Sequence, residues 1–322
     1  MALTLGEYSV LDGAAVTLLN NTIHVLLALM FPPLLVGVIN KTKALFAGRV
    51  GPPLLQPYYD LARLIRKGSV YSTTTTWVFR AGPVVGLVTA VLAVLLVPLA
   101  GSSAPISFTG DLILLAYLFG LARFFTASAA LDTGSPFEGM GAAREVTFAC
   151  LAEPALFLGF LVLARLARDS GPLQLATLLG TGVARAWLSA GASLVLVLLS
   201  WFIILLVENC RIPFDDPNTH LELTMIHEVM VLDHSGPAFG MILYAAALKL
   251  CIFGALIVRL LVPVSTGSPW LDWPVFIAAM LAVAVAVGVV ESTMARLKMT
   301  HVPVLLVASC LLSAFGIILL IR

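Results

Sequence analysis

The stretch ENCRIPFDDPNTHLELTMIHE, from Glu208 to Glu228, packs five carboxylates, one arginine and two histidines into 21 residues. The chain around it is 60% hydrophobic and only 11% charged, against about 25% charge in an average soluble chain. A carboxylate among apolar side chains has a raised pKa unless it is paired, which suits a group that takes up and hands on protons. Glu222 and Glu228 keep such company, among Leu221, Leu223, Met225, Ile226, Val229 and Met230. Two readings stay open: a proton relay, and pairing with arginines of neighbouring loops.

More ionisable groups lie within apolar runs. Glu145 and Glu153, in REVTFACLAEP, are eight residues apart, which on a helix leaves them roughly 80° apart around the axis and about two turns apart along it. Pro154 would free the carbonyl of Cys150 one turn earlier. A charge at mid-membrane costs at least about 2.5 kcal/mol, so such residues are functional candidates by default. For Glu145 a bland alternative is a pair with Arg144 at the interface. Arg123 and Lys249 are deep cations that need acidic partners, either as static ion pairs or as an acid–base–acid row across the bundle. His220, His227 and His234 recur every seven residues. With no HExxH and no flanking cysteine, they read as capping or interface histidines and not as a metal site. Cys150, Cys210, Cys251 and Cys310 form no CxxC, and so offer neither a disulfide framework nor the ligands of an Fe–S cluster. There is no Walker A motif, no GxGxxG and no facing histidine pair for haem, so no cofactor is expected in the chain itself.

These residues need a scaffold, and composition names it. Mean hydropathy is +1.05, and apolar runs of about 20 residues, the length that crosses a bilayer, recur along the chain. Eight spans are expected, near 22–40, 81–101, 111–131, 146–166, 187–207, 238–262, 270–290 and 302–321. Each should be a helix, because backbone groups in lipid must be satisfied within the segment. The chain therefore reads as a single all-α, polytopic membrane domain over residues 1–322. Pro32-Pro33, Pro154 and Pro303 mark kinks or helix starts. In the first inner loop LLQPYYDLARLIRKG reads as an amphipathic helix, carrying Arg63, Arg66 and Lys67. DDPNTHLELTMIHEVMVL reads as a second, capped by Asp216 with Pro217 at its first position. A net charge of +1 recruits no nucleic acid. The first 20 residues hold no Lys or Arg, so no removable leader is expected.

Eleven basic residues (Lys41, Lys43, Arg49, Arg63, Arg66, Lys67, Arg80, Arg144, Arg211, Arg296 and Lys298) follow the odd-numbered spans, against five (Arg165, Arg168, Arg185, Arg259 and Arg322) on the other side. The positive-inside rule then puts the loops near 41–80, 132–145, 208–237 and 291–301 in the cytoplasm and both termini outside, in a cell or inner membrane. The dense inner loops read as a docking platform.

Those loops carry a resemblance. GRVGPPLLQP with Asp60 downstream, GMGAAREV, and ENCRIPFDDPNTHLELTMIHEVMVLDHSGP are similar to the membrane-arm subunit shared by respiratory complex I, where it lies beside the quinone entry, and membrane-bound nickel–iron hydrogenases. The complex I pattern is matched by Glu208, Arg211, Pro213, Phe214, Asp215, Pro217, Glu222 and Leu223, while Asn218 and His220 stand at two of its acid positions. The continuation THLELTMIHEVMVLDHSGP resembles the hydrogenase branch, of the formate hydrogenlyase subunit 4 type. That branch implies an anchor and ion-coupling subunit without a catalytic centre of its own. It also implies a nickel–iron large subunit, an Fe–S small subunit, a ferredoxin-like subunit and antiporter-like membrane subunits as partners. The nickel–iron centre and Fe–S clusters would lie in those partners. The proton path implied runs through Glu208, Glu222 and Glu228 to Glu145 and Glu153, with Arg123 and Lys249. Arg49, Gln56, Asp60, Arg63, Arg144, Arg211, Asp215, Asp216, His220 and His227 would serve docking or structure. A quinone-site subunit of a complex I-type enzyme, a secondary transporter and a purely structural anchor are the competing readings.

Overall fold

A computed structural model describes residues 5–101, 104–167, 172–180, 182–215, 225–263 and 269–321, with side chains from residue 17 onward except at 269. Its helices are α1 (Leu5–Met30), α2 (Pro32–Phe46), α3 (Gln56–Ile65), α4 (Trp77–Leu96), α5 (Asp111–Asp132), α6 (Pro136–Leu166), α7 (Leu175–Leu178), α8 (Gly182–Glu208), α9 (His227–Met230), α10 (Gly236–Leu261), α11 (Pro269–Thr293) and α12 (Val302–Ile321). No strand occurs among the described residues. Seven helices are long and apolar enough to cross a bilayer, and the bent pair Thr17–Met30 and Pro32–Phe46 makes eight when taken as one span. The chain is an all-helical, polytopic membrane protein.

The first span, expected over 22–40, breaks where Pro32-Pro33 marked a kink or a helix start. It turns by 47° at Phe31, because Pro32 and Pro33 can donate no backbone hydrogen bond and clash with a preceding turn. The break strands carbonyls at the end of α1, and two tyrosines meet them. The Tyr244 hydroxyl on α10 donates to the Leu29 carbonyl at 2.6 Å, and the Tyr58 hydroxyl on α3 donates to that of Met30. The amphipathic helix expected in the first loop is α3, and its tyrosine fastens it to the broken span.

Three other boundaries move. The span expected over 81–101 is α4, which begins at Trp77 and ends at Leu96. The inner loop expected over 132–145 is helical from Pro136, so α6 runs 31 residues through Pro154. α5 and α4 are instead tied end to end by Asp132, whose carboxylate accepts from the Thr76 N–H at 2.7 Å, the Thr76 hydroxyl at 2.8 Å and the Phe79 N–H at 3.3 Å. The helix expected through 215–232 is also corrected in its described part. Met225 and Ile226 are not helical, and only α9 forms. The Asp215 carboxylate accepts from the Ile226 and His227 N–H groups at 3.0 and 3.2 Å and so caps α9, while Asp216, the cap expected from the sequence, lies outside the described residues.

α10 is the central helix. Every residue from Leu250 to Leu260 is buried, as befits a helix apolar all round. α4 and α5 pack along each other on one side of it, and α12 lies against α6 and α8. Leu114, Tyr117 and Phe124 of α5 are exposed. α9 packs on α6 at Gly141, where an added Cβ would stand 2.3 Å from Val229 Cγ1 and 2.9 Å from the Ile226 carbonyl. The GMGAAREV segment needs a glycine there for the two backbones to approach.

Candidate functional site

α5, α6, α8 and α10 converge on one guanidinium. Arg123 of α5 hydrogen-bonds Glu153 of α6 through Nη1, and through Nη2 it donates to both Glu208 oxygens at 2.8 and 3.0 Å. Its Nε lies 3.9 Å from Glu145 and has no hydrogen-bond partner. Lys249 of α10 completes the row, with Nζ 2.7 Å from Glu208 Oε2. Glu208 is thus held between two cations from different helices, with a side chain only 7% exposed, whereas that of Glu153 is 46% exposed. The groups stand in the order Glu153–Arg123–Glu208–Lys249, with Glu145 alongside, an arrangement that both static ion pairs and an acid–base–acid row require.

The row borders a chamber of about 120 Å³, lined by Arg123, Glu145, Glu208 and Lys249 together with Cys210, His227 and His234. One buried water needs roughly 10–15 Å³ of such space, so several fit. Small residues make the room. Gly82 and Gly86 of α4 line it, and a Cβ at Gly86 would meet nothing within 4 Å.

How α8 ends shapes the chamber floor. The Cys210 N–H donates to the Val207 carbonyl at 3.0 Å and the Arg211 N–H to that of Leu206 at 2.8 Å. This is a Schellman turn, whose left-handed residue is usually glycine. Cys210 occupies that place with φ 49°, at a cost of about 1–2 kcal/mol for an L-residue. Burial, and then the carboxylates of Glu145, Asp215 and Glu208, push the Cys210 thiol well above its usual range. His234 closes the other side, stacked on Phe79 with ring centroids 4.0 Å apart. Its burial lowers its pKa to about 4, against an opposing effect of Asp233.

The other residues singled out in the sequence fall elsewhere. Asp215 is buried and bound by Arg296 at 2.9 Å. Arg211 reaches Glu291 at 3.4 Å, and Lys43 reaches the same carboxylate at 2.8 Å. Arg211 and Asp215 thereby join the loop after α8 to α11, α2 and the segment before α12. The Arg144 Nη1 donates to the Met225 carbonyl at 2.9 Å, and Glu145 faces Arg123. Glu228 is half-buried on α9, beside the chamber residue His227 but outside the chamber lining. Gln56 donates to Asp60 at 2.8 Å within α3, and Arg49 and Arg63 are exposed. Glu222, Asp216 and His220 lie outside the described residues. Sequence reasoning passed over Glu291, though a charge at the end of an apolar run was a signal for it.

Residues 20–322 match the family model described as NADH dehydrogenase. The chain belongs to that family. Within the family it is 33% identical over 296 residues to formate hydrogenlyase subunit 4 of Escherichia coli (strain K12), a match spanning 89% of this chain and 93% of that one. It is 32% identical over 274 residues to hydrogenase-4 component C of the same organism, spanning 83% and 84%. The membrane-bound sulfane sulfur reductase, an archaeal respiratory membrane complex, contains a chain that superposes with a TM-score of 0.76 at 21% identity, over 94% of this chain and 99% of that chain. This last likeness establishes a shared fold. The two hydrogenase relatives favour the hydrogenase-type reading over a quinone-site subunit or a transporter.

Proposed function

We propose that the chain is the membrane anchor and ion-coupling subunit of a membrane-bound nickel–iron hydrogenase complex of the formate hydrogenlyase type. The observation that carries this reading is Glu208, clamped between Arg123 and Lys249, with Glu145 and Glu153 against the same guanidinium. Such a row is costly to place in a membrane and earns its place by moving charge. Arg123 is shared, so a proton arriving on Glu153 weakens that pair and tightens the guanidinium on Glu208. A proton on Glu208 in turn frees Lys249. The chamber supplies room for water between these groups and the inner face.

The inner loops would seat the hydrophilic arm: the nickel–iron large subunit and the Fe–S small and ferredoxin-like subunits, which carry the redox centres. Antiporter-like membrane subunits would lie beside the helices. The bias of basic residues supports cytoplasmic loops and outward termini, in a cell or inner membrane.

The test is hydrogen evolution and proton transport in inverted membrane vesicles from cells carrying Glu208→Gln or Glu153→Gln. Each variant should assemble, with nickel co-purifying, while proton transport per hydrogen drops about tenfold or more. Two assembled variants with full activity and full coupling would overturn the relay and leave a structural anchor.

A further inference from the structure

Glu145, Cys210 and His227 come from three elements: α6, the turn after α8, and α9. One ligand atom from each lies within 4.8 Å of the other two. Zinc bound at about 2.0–2.3 Å sets tetrahedral ligand atoms roughly 3.2–3.8 Å apart, so about 1 Å of side-chain rotation closes the set.

The three groups are uncommitted where it matters. Arg123 spends its terminal nitrogens on Glu153 and Glu208, and its Nε makes no hydrogen bond to Glu145. Cys210 is a free thiol. At His227 it is the backbone N–H, and not the ring, that donates to Asp215. The charge balance points the same way. Glu145, Glu153 and Glu208 face two cations, Arg123 and Lys249, leaving one carboxylate in surplus. A thiolate at Cys210 would make two negative charges, which one divalent ion neutralises.

We propose that Glu145, Cys210 and His227 form a binding site for a borderline-soft divalent metal ion, of which zinc is the best fit. Sulfur and imidazole ligands turn away magnesium and calcium, and a mixed sulfur, nitrogen and oxygen set suits zinc. Three protein ligands leave a fourth position to chamber water. The thiol gives up its proton to solvent as the metal–sulfur bond forms. The ion fastens α9 and the Schellman turn to α6, and this site stands whether or not the row beside it relays protons.

Cobalt(II) is the probe, titrated into the full chain in lipid nanodiscs. One equivalent should bind with a near-ultraviolet thiolate-to-cobalt charge-transfer band and the intense visible bands of a tetrahedral ion, and zinc should displace it. Cys210→Gly suits the left-handed turn, so it should keep the metal-free thermal midpoint, lose the band and weaken binding about tenfold or more. His227→Gln and Glu145→Gln should each weaken binding as well, while Cys310→Ser should change nothing. X-ray absorption of the zinc-loaded wild-type chain should show one sulfur among nitrogen and oxygen neighbours, with no variant required. Cobalt bound without a thiolate band, zinc without a sulfur neighbour, or equal affinity in wild type and Cys210→Gly would overturn the site.

Discussion

At the residue scale the candidate site depends on a cation shared among acids. Removing one member of a buried ion pair costs about 3–5 kcal/mol, because the partner charge stays behind. Arg123→Leu takes one of two cations from buried Glu208 and the guanidinium from half-exposed Glu153, so the unfolding free energy in detergent should fall by at most about that amount, read as a lowered thermal midpoint. A smaller loss at Lys249→Met is expected, since Arg123 still holds Glu208. His234 supplies a pH signature of its own. Its folded pKa of about 4 lies below the usual 6.5, so between those values the unfolded chain binds the extra proton. Stability from His234 is therefore full above pH 6.5 and is lost as pH falls through 4. Thermal midpoints followed from about pH 7 to about pH 4 should decline, and His234→Phe should flatten part of the decline. The charged members of the row were legible in the sequence because Arg123, Glu153, Glu208 and Lys249 interrupt apolar runs. Their need for acidic partners was legible too, but which acid meets which cation was not, since the contacts join residues as far as 85 apart, at Arg123 and Glu208.

At the element scale, most spans were legible because a bilayer imposes a length and an apolar composition that sequence displays directly. What sequence hid is how elements end. Apolar spacing over 221–230 matches a helix, yet in its described part Asp215 caps a single turn, because a buried turn and a buried helix demand the same side chains. The helix start at Pro136 was hidden by a stretch rich in glycine and charge. Gly141 marks where α9 meets α6. Gly141→Val overfills that contact, and overpacking costs about 1–3 kcal/mol. Proteolysis of the inner face should then cleave near residue 230 faster than in wild type, while the apolar helices stay protected.

For the whole molecule, the decisive question is how the inner face meets its partners. Single cysteines placed at Arg66 and Lys298, in a background with the native cysteines replaced by serine or alanine, should react with a membrane-impermeant thiol reagent in inverted vesicles and not in intact spheroplasts. The opposite pattern would reverse the orientation. Gly86→Leu would intrude on the chamber without meeting any wall atom at its Cβ. Its complex should assemble, and its proton transport should fall with its water-filled volume.

The bent first span has a mechanical consequence. Tyr58 and Tyr244 hold neighbouring carbonyls at one break, the first from α3 and the second from the central α10. A displacement of α3 relative to α10 would load the two struts unequally, and the strain would fall on the break between α1 and α2. A partner pressing on the inner face would thus be felt as torque in a membrane helix, with no side chain of the charged row having moved first.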